Sequence, residues 1–83
     1  MQQLDMFPID MELHCIDPTR NKRRFYRMSV QRNLFGEWEL LREWGRIGNS
    51  GRIRCDRFDQ AVAAAEILRI IANLKVQRGY ITY

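Results

Sequence analysis

Residues 37–58 read EWELLREWGRIGNSGRIRCDRF, and this stretch decides the fold. In residues 37–44 tryptophan and leucine alternate with glutamates, so apolar side chains share one side of an extended chain, as in a half-buried β-strand. Residues 52–58 form a second extended stretch with a similar alternation. The three glycines between the two stretches allow a sharp change of chain direction. The pattern therefore predicts two antiparallel strands joined by a glycine-rich connection.

The same alternation extends the predicted sheet in both directions along the chain. Residues 25–32 predict a strand with apolar side chains on one face, and the sequence NLFG at residues 33–36 predicts the turn that follows it. A weaker alternation predicts a strand at residues 11–16, and residues 80–83 predict a short terminal strand. The polar and basic residues 17–24 predict a turn.

Residues 60–78 repeat apolar side chains at helical spacing. Asp59 is the predicted N-cap, with Phe58 as a hydrophobic staple, and Gly79 is the predicted C-cap. The predicted buried stripe comprises Ala64, Ile67, Leu68, Ile71 and Leu74. The predicted solvent stripe comprises Glu66, Arg69, Asn73 and Gln77. The helix, about residues 59–78, packs on one face of an antiparallel sheet, which makes an α+β domain.

The charge distribution favours a polyanionic partner. The 83-residue chain fits one small domain and has a net charge of +4, with 14 basic residues that are nearly all arginine. Residues 1–17 hold four acidic residues and no basic ones, whereas residues 18–83 hold 14 basic and 6 acidic ones. We therefore divide the chain into an N-terminal arm or edge strand, residues 1–17, and a basic domain, residues 18–83. Arginine enrichment is typical of phosphate-binding proteins, and equally of proteins from a GC-rich coding genome.

Catalytic and metal-binding patterns are absent from the sequence. No Cys-x-x-Cys or His-x-x-x-His spacing accompanies Cys15, Cys55 and His14, so we expect no metal site and two reduced cysteines. No phosphate-binding glycine loop and no nucleophile–base pair occurs, so we expect no enzyme activity, no cofactor and no small-molecule substrate. Neither a signal peptide nor a membrane-spanning segment is predicted, so we expect a cytoplasmic protein without membrane contacts.

Binding chemistry is concentrated around the glycine-rich connection. Trp44 ends a strand there, where an indole can stack on a base or a sugar. Arg46 is two residues further on and can reach an adjacent phosphate. Two further arginines extend the basic surface: Arg52 and Arg54. The alternative interpretation is structural, with Trp44 in the core and Arg46 paired with Glu43 or Glu39.

The sequence resembles the WGR domain family, the module known from poly(ADP-ribose) polymerases and from short bacterial proteins. The signature is WGRIG at residues 44–48, followed by Gly51. The likeness covers residues 23–81 and is specific, because motif, spacing and element order agree. Its other features are FYRM at 25–28, LFGEW at 34–38, a helix at 61–75 with alanine early and lysine late, and the pair Gly79-Tyr80.

The resemblance implies a curved antiparallel sheet of four to five strands with one long amphipathic helix. It also implies nucleic-acid binding. In the polymerases the motif tryptophan packs on the terminal sugar at a DNA break, the motif arginine lies beside the strand and contacts neighbouring domains, and a lysine late in the helix contacts the backbone. These roles carry over to Trp44, Arg46 and Lys75. No polymerase catalytic domain or NAD site follows, which implies a stand-alone domain, and residues 1–17 have no counterpart.

The expected function is that of a non-enzymatic module that binds duplex DNA at ends or nicks. Trp44 stacks, and four basic residues contact phosphates: Arg46, Arg52, Arg54 and Lys75. Three glycines shape the turn: Gly45, Gly48 and Gly51. The alternative is a protein–protein interaction or self-association module, a homodimer included, that uses the same tryptophan and arginine surface.

Overall fold

The structure is a computed structural model that describes residues 10–83. It contains one helix, α1 (Ala61–Gln77), and five strands: β1 (Asp10–Asp17), β2 (Lys22–Arg32), β3 (Trp38–Arg46), β4 (Arg52–Phe58) and β5 (Ile81–Thr82). A single turn of 3-10 helix, Pro18–Arg20, connects β1 to β2. The predicted α+β class is confirmed. The N-terminal arm predicted from the first residues lies outside the described residues, apart from the part that belongs to β1.

The five strands form one open antiparallel sheet in the order β4-β3-β2-β1-β5. The first four strands follow one another as hairpins, and β5 returns beside β1 after the helix. Helix α1 packs over one face of β2, β3 and β4. The core cluster lies between this face and the helix and comprises Leu13, Tyr26, Met28, Val30, Leu40, Ala64, Leu68 and Ala72. The sheet therefore has one face against the helix and one face away from it.

The connection between β1 and β2 is shorter than predicted. The Asp17 carboxylate accepts hydrogen bonds from the Thr19 amide at 3.2 Å and the Thr19 hydroxyl at 2.7 Å, which fixes the single 3-10 turn. Asn21 then takes a left-handed conformation with φ of 53°. Because these few residues complete the reversal, residues 22–24 pair with β1 as strand, and the prediction of a turn up to residue 24 was wrong. These three residues are all basic and lack the apolar alternation that identifies a strand, so their extended conformation was not predicted.

The N-cap of helix α1 lies one residue later than predicted. Gln60 is the N-cap, with φ of −134° and ψ of 145°, and no side chain caps the helix. The prediction of Asp59 as N-cap was wrong, because residue 60 is still extended. At the other end, Gly79 has φ of +101°, its amide donates to the Val76 carbonyl, and the Tyr80 amide donates to the Lys75 carbonyl, both at 3.0 Å. This is a Schellman motif, and it confirms that Gly79 ends the helix.

The buried face of α1 is narrower and built from smaller side chains than predicted. Its buried residues are Ala64, Ala65, Leu68 and Ala72. Ile67 and Leu74 were predicted to be buried, but they are 36% and 50% exposed. The physical reason is that large rings of the sheet, including Trp38 and Trp44, already fill the space under the helix. Small side chains on the helix complement these rings, and the larger aliphatic side chains are turned toward solvent.

Candidate nucleic-acid interface

Strand register brings the binding residues to one end of the helix-covered face. Tyr26 of β2 lies opposite Trp44 of β3, and Trp44 lies opposite Arg52 of β4. Two pairs further along, Arg24 lies opposite Arg46. Side chains alternate between the two faces of a sheet, so all five of these residues share one face. The C-terminal end of α1 lies over this part of the sheet.

These side chains surround a depression of about 670 Å³, which we call the basic depression. Its lining residues are Arg24, Phe25, Tyr26, Trp44, Gly45, Arg46, Arg52, Lys75 and Tyr80. Four of them are cations and none is a carboxylate, and none of these four cations has an ion-pair partner within residues 10–83. An anion entering this depression meets positive charge that no described carboxylate neutralises.

Trp44 belongs to both the core and the depression. Its indole is half-buried, packs against the core cluster and stacks on Tyr26 with ring centroids 5.7 Å apart and an interplanar angle of 16°. The remaining surface of the indole lines the basic depression. The two interpretations of Trp44 are therefore compatible, since one part of the ring packs inward and another is accessible from the depression.

Lys75 continues the buried stripe of the helix to the rim of the sheet. Its ammonium lies 4.4 Å from the ring centroid of Tyr26 and 5.3 Å from that of Tyr80, which the Schellman motif holds beside it. Partial burial lowers the pKa of Lys75, and the positive charges of three nearby arginines lower it further: Arg78, Arg24 and Arg42. The ammonium is therefore incompletely hydrated and repelled by its neighbours, and it faces the depression.

Arg46 is held by the connection between β1 and β2 and does not pair with a glutamate. Its guanidinium donates to the Asn21 backbone carbonyl at 3.1 Å and to the Asn21 side-chain oxygen at 3.2 Å. The suggested partners bind elsewhere, because Glu43 accepts from Arg27 at 3.0 Å and Glu39 accepts from Asn33 at 3.0 Å. The left-handed turn at Asn21 thus orients an exposed guanidinium at the rim of the depression.

Arg52 and Arg54 share a strand face but differ in their environments. Arg52 lines the depression, whereas Arg54 donates to the Asp56 carboxylate at 3.3 Å and does not line it. Asp56 also accepts from Arg42 at 3.1 Å. The structure therefore brings together four of the predicted residues, Trp44, Arg46, Arg52 and Lys75, and leaves Arg54 outside.

Four residues that line the depression were not predicted as site residues: Arg24, Phe25, Tyr26 and Tyr80. Arg24 was assigned to a turn, although its alternation with Tyr26 places both on one face once the strand begins at Lys22. Tyr80 was predicted as part of a short terminal strand and as a member of the pair Gly79-Tyr80, without a binding role. Burial raises the pKa of the Tyr80 phenol, so the side chain stays neutral beside the arginines. The left-handed conformation of Gly79 sets the position of Tyr80. A glycine after a helical pattern is a signal that a sequence can show.

The three glycines of the signature have different structural tasks. Gly48 has φ of +93° in the turn, and a Cβ there would meet nothing within 4 Å. Gly45 lies within β3, where a Cβ would come within 3.1 Å of the Gly51 Cα. At Gly51 a Cβ would lie 2.5 Å from the Trp44 carbonyl oxygen and 2.9 Å from the Phe25 ring. Gly48 therefore makes the turn, while Gly45 and Gly51 allow two backbones to approach closely.

The opposite face of the sheet carries a cluster of paired charges around Arg27. There Arg27 donates to Glu12 at 3.3 Å and to Glu43 at 3.0 Å. His14 contacts Glu12 at 2.8 Å, and this hydrogen bond is the main cause that lowers the pKa of the Glu12 carboxyl. Arg27 is thus paired with carboxylates, whereas two other arginines of this face have no ion-pair partner among residues 10–83: Arg23 and Arg57.

Within residues 10–83 the structure shows neither a metal site nor a membrane-spanning helix. No group of three or more His, Cys, Asp and Glu side chains in this part of the chain is arranged to hold a metal ion. Cys15 is a buried free thiol and Cys55 an exposed one. The described helix lacks the length and apolar character needed to cross a membrane.

Comparison with known families identifies the fold. The WGR domain matches residues 9–83, which includes β1 and every other described element. The chain belongs to the WGR domain family. This is a non-catalytic domain, and in poly(ADP-ribose) polymerases it is associated with nucleic-acid binding. The match begins nearer the N-terminus than residue 18, from which we counted the domain.

One curated relative shows extended similarity to this WGR domain. It is "Uncharacterized protein y4dW" of Sinorhizobium fredii (strain NBRC 101917 / NGR234), which is 40% identical over 73 residues. The aligned region covers 88% of this chain but 36% of the relative, so the chain spans about a third of that protein's length. No solved structure gives a significant match.

Proposed function

We propose that this WGR domain is a non-enzymatic module that binds duplex DNA, with a preference for ends or nicks. One observation carries the proposal: cations from β2, β3, β4 and α1 converge on an exposed part of Trp44 with no carboxylate among them. Guanidinium and ammonium groups bind phosphate, and an accessible indole face stacks on an unpaired base or a terminal sugar. An end or nick supplies both groups together, whereas an intact duplex keeps its bases stacked.

Each side chain has a separate task in this proposal. Lys75 and Arg24 contact the phosphate that lies deepest, and Arg46 and Arg52 contact phosphates at the rim. Trp44 supplies the stacking plane. Arg54 is a peripheral contact, weaker than Arg52 because Asp56 already accepts its hydrogen bond.

Fluorescence anisotropy with blunt-ended, nicked and closed circular duplexes tests the proposal. Three to four phosphate contacts give a log–log salt slope of roughly −3, so affinity falls by about 40- to 150-fold between 50 and 200 mM salt. We expect blunt and nicked duplexes to bind more tightly than the closed circle. Equal binding to all three would remove the preference for ends, and absent or salt-insensitive binding would overturn the proposal. A dimer that hides Trp44 and binds no DNA would favour the protein-binding alternative.

Arg52→Gln and Arg54→Gln form a matched pair for this test. Both arginines are exposed on β4, and both variants remove one charge from the same strand face. We expect Arg52→Gln to reduce the magnitude of the salt slope by about 0.9 and to weaken binding roughly fivefold, because one phosphate contact is lost. Arg54→Gln is expected to change affinity less than about twofold. Equal effects of the two variants would indicate a diffuse charge effect instead of a contact in the depression.

A further inference from the structure

Strand β4 is an open edge of the sheet. Its inner side pairs with β3 over the whole length, from Arg52 opposite Trp44 to Phe58 opposite Trp38, without an interruption of the register. No other described strand pairs with its outer side, and no other described backbone group hydrogen-bonds to it. The backbone groups on the outer side are therefore unpaired within residues 10–83, and they form a template for a further strand.

The two edges of the sheet differ in their protection against such pairing. The strand at the other edge, β5, has only two residues, and a very short edge strand is a common protection. Strand β4 has seven residues, contains neither proline nor glycine, and has no bulge in its pairing with β3. None of its side chains is buried, in contrast to those of β1, β2 and β3. The β4 edge is thus the longer and more accessible one.

The charges of β4 are complementary about Cys55. Arg54 and Asp56 flank this residue, and both lie on the helix-covered face, because residues two apart share a face of a strand. When a second β4 pairs antiparallel with the first and is centred on Cys55, Arg54 of each copy lies directly opposite Asp56 of the other. The Asp56 carboxylate is held in place at this edge, since it accepts from Arg42 at 3.1 Å and from its own Arg54 at 3.3 Å.

The neighbouring registers of this pairing set like charges directly opposite each other. Centring it on Ile53 puts Arg52 opposite Arg54. Centring it on Arg54, Asp56 or Arg57 puts that residue opposite its own copy. Opposite charges across a strand pair stabilise a sheet and like charges destabilise it. Charged side chains protect an edge against most strands, but the charges of β4 match a second β4 in the one register centred on Cys55.

The uncovered face of β4 adds apolar contacts to the same register. Ile53 is 66% exposed, and the Cys55 thiol is also exposed. Centred pairing sets the two Cys55 side chains opposite each other, and a cysteine side chain behaves as a small apolar group. It also sets Ile53 opposite Arg57 of the second copy, whose aliphatic stem can cover it. Both faces of β4 therefore offer contacts to a second β4.

We propose that two copies of this chain pair antiparallel through β4, centred on Cys55, and join their two five-stranded sheets into one. The arrangement is a closed two-fold dimer in which both copies use the same surface. It differs from self-association through Trp44 and the arginines around it, because a strand edge makes the contact. The dimer does not depend on the proposed function, since its tests contain no DNA.

Disulfide trapping tests the register of this dimer. Residues directly opposite each other in an antiparallel pair have Cα atoms about 4.5–5.5 Å apart, and a disulfide spans about 4.4–6.8 Å. Mild oxidation of the full chain with copper phenanthroline is therefore expected to produce a covalent dimer. Cys55→Ser is expected to produce none, because the remaining thiol, Cys15, is buried.

Two new cysteines in the Cys55→Ser background are the matched controls for the register. Ile53→Cys and Arg57→Cys lie on the same exposed face as Cys55. In the proposed register each is roughly 14 Å from its own copy, because four residues of extended chain separate them. We expect neither variant to crosslink alone, and an equimolar mixture of the two to form a covalent heterodimer.

Sedimentation velocity under reducing conditions, between about 1 and 200 μM, measures the dimer without a covalent bond. Arg54→Asp places an aspartate opposite Asp56 at two symmetric positions and is expected to weaken dimerisation about tenfold or more. Arg52→Asp makes the same change of charge on the same strand face, but it lies opposite Phe58 of the second copy. It is expected to change dimerisation less than about threefold. Circular dichroism checks that both variants fold, which the exposure of the two arginines leads us to expect.

Four results would overturn the β4 dimer. A wild-type chain that stays monomeric at 200 μM excludes it. A dimer that oxidation of Cys55 does not trap has its interface elsewhere. Crosslinking of Ile53→Cys alone as strongly as that of the wild type indicates random collisions or another register. Equal effects of Arg54→Asp and Arg52→Asp mean that the charges opposite each other in this register do not hold the dimer together.

Discussion

Replacing Gly51 with alanine is expected to lower the free energy of unfolding by about 3 kcal/mol or more. The new Cβ would lie 2.5 Å from the Trp44 carbonyl oxygen and 2.9 Å from the Phe25 ring carbon Cζ. One of these neighbours is backbone of the adjoining strand and the other belongs to a buried ring, so neither can move away as a flexible side chain can. A domain of this size has little stability in reserve, and a substantial unfolded fraction should result.

Denaturant unfolding followed by circular dichroism measures this effect, and Gly48→Ala is the matched control. Gly48 lies in the same connection, but its added Cβ would have open space around it. Its φ of +93° makes an alanine there strained by about 1–2 kcal/mol, without any steric clash. Gly51→Ala should therefore be clearly less stable than Gly48→Ala. Similar stabilities would contradict the close approach of Gly51 to Trp44 and Phe25.

The effect of Gly51 extends to the site, because the same backbone approach positions two of its residues. With no side chain at positions 45 and 51, β3 and the start of β4 lie close together beside the Phe25 ring. This arrangement sets Arg52 opposite Trp44. The signature glycines thus act on binding through the strands that hold the tryptophan and the arginine.

Much of the fold follows from local patterns that the sequence displays directly. Alternating apolar residues identify the strands, and the predicted range of β4 agrees with the observed one, Arg52–Phe58. Gly79 marks the end of α1, because only glycine takes its left-handed conformation without strain. These features depend on near neighbours in the chain, and a single sequence contains the information.

The wrong predictions concern residues whose conformation or burial depends on distant parts of the chain. Residues 22–24 look like a polar turn, and they become strand because β1 and β3 flank them. The buried face of α1 is set by the rings beneath it, so Ile67 is exposed while Ala65 and Ala72 are buried. Helix propensity and periodicity do not predict which helix side chains are buried, since that depends on the shape of the sheet surface beneath the helix.

The residues of the candidate site also divide into those that the sequence predicts and those that needed the structure. Trp44 and Arg46 were predicted from the residues around the glycine-rich connection, and Lys75 through the resemblance to the WGR family. Arg24, in contrast, needed the register of β2 against β3. The neutralisation of Arg54 by Asp56 was within reach of the sequence, because residues two apart share a strand face.

Lys75→Glu is expected to reduce DNA affinity about 100-fold at low salt while the domain remains folded. The substitution removes one phosphate contact and adds a carboxylate at the centre of the depression, which repels the DNA backbone. Burial disfavours either charge at this position, and the change removes the contacts of the ammonium with the Tyr26 and Tyr80 rings. The domain is nevertheless expected to remain folded, because the repulsion of the lysine by three arginines is also removed: Arg78, Arg24 and Arg42. A carboxylate at this position can pair with those arginines instead.

Arg69→Glu is the matched control for this charge reversal. Arg69 lies on the solvent side of the same helix, pairs with Glu66 at 3.0 Å and does not line the depression. It makes the same change in net charge, so general repulsion between protein and DNA is equal in the two variants. Anisotropy titrations should show only a few-fold loss for Arg69→Glu. A loss as large as that of Lys75→Glu would mean that net charge, and not the depression, governs binding.

The pH dependence gives a second measurement of the Lys75 contact. The pKa of Lys75 is below the usual lysine value, so the ammonium loses its proton at a lower pH than other lysines do. DNA binds the protonated form, and affinity therefore falls as pH rises toward this lowered pKa. The opposite sign holds for folding: above the lowered pKa the repulsion is relieved, and the native state gains stability relative to the unfolded chain until the ordinary lysine pKa is passed.

Lys75→Arg separates the titration of this residue from that of all others. A guanidinium keeps its charge at alkaline pH, so the affinity of the variant should stay nearly constant as pH rises toward the ordinary lysine pKa, while that of the wild type falls before that pKa is reached. Parallel pH curves for the two proteins would show that another group is responsible. A flat Lys75→Arg curve combined with the loss in Lys75→Glu assigns the alkaline loss of affinity to the titration of Lys75.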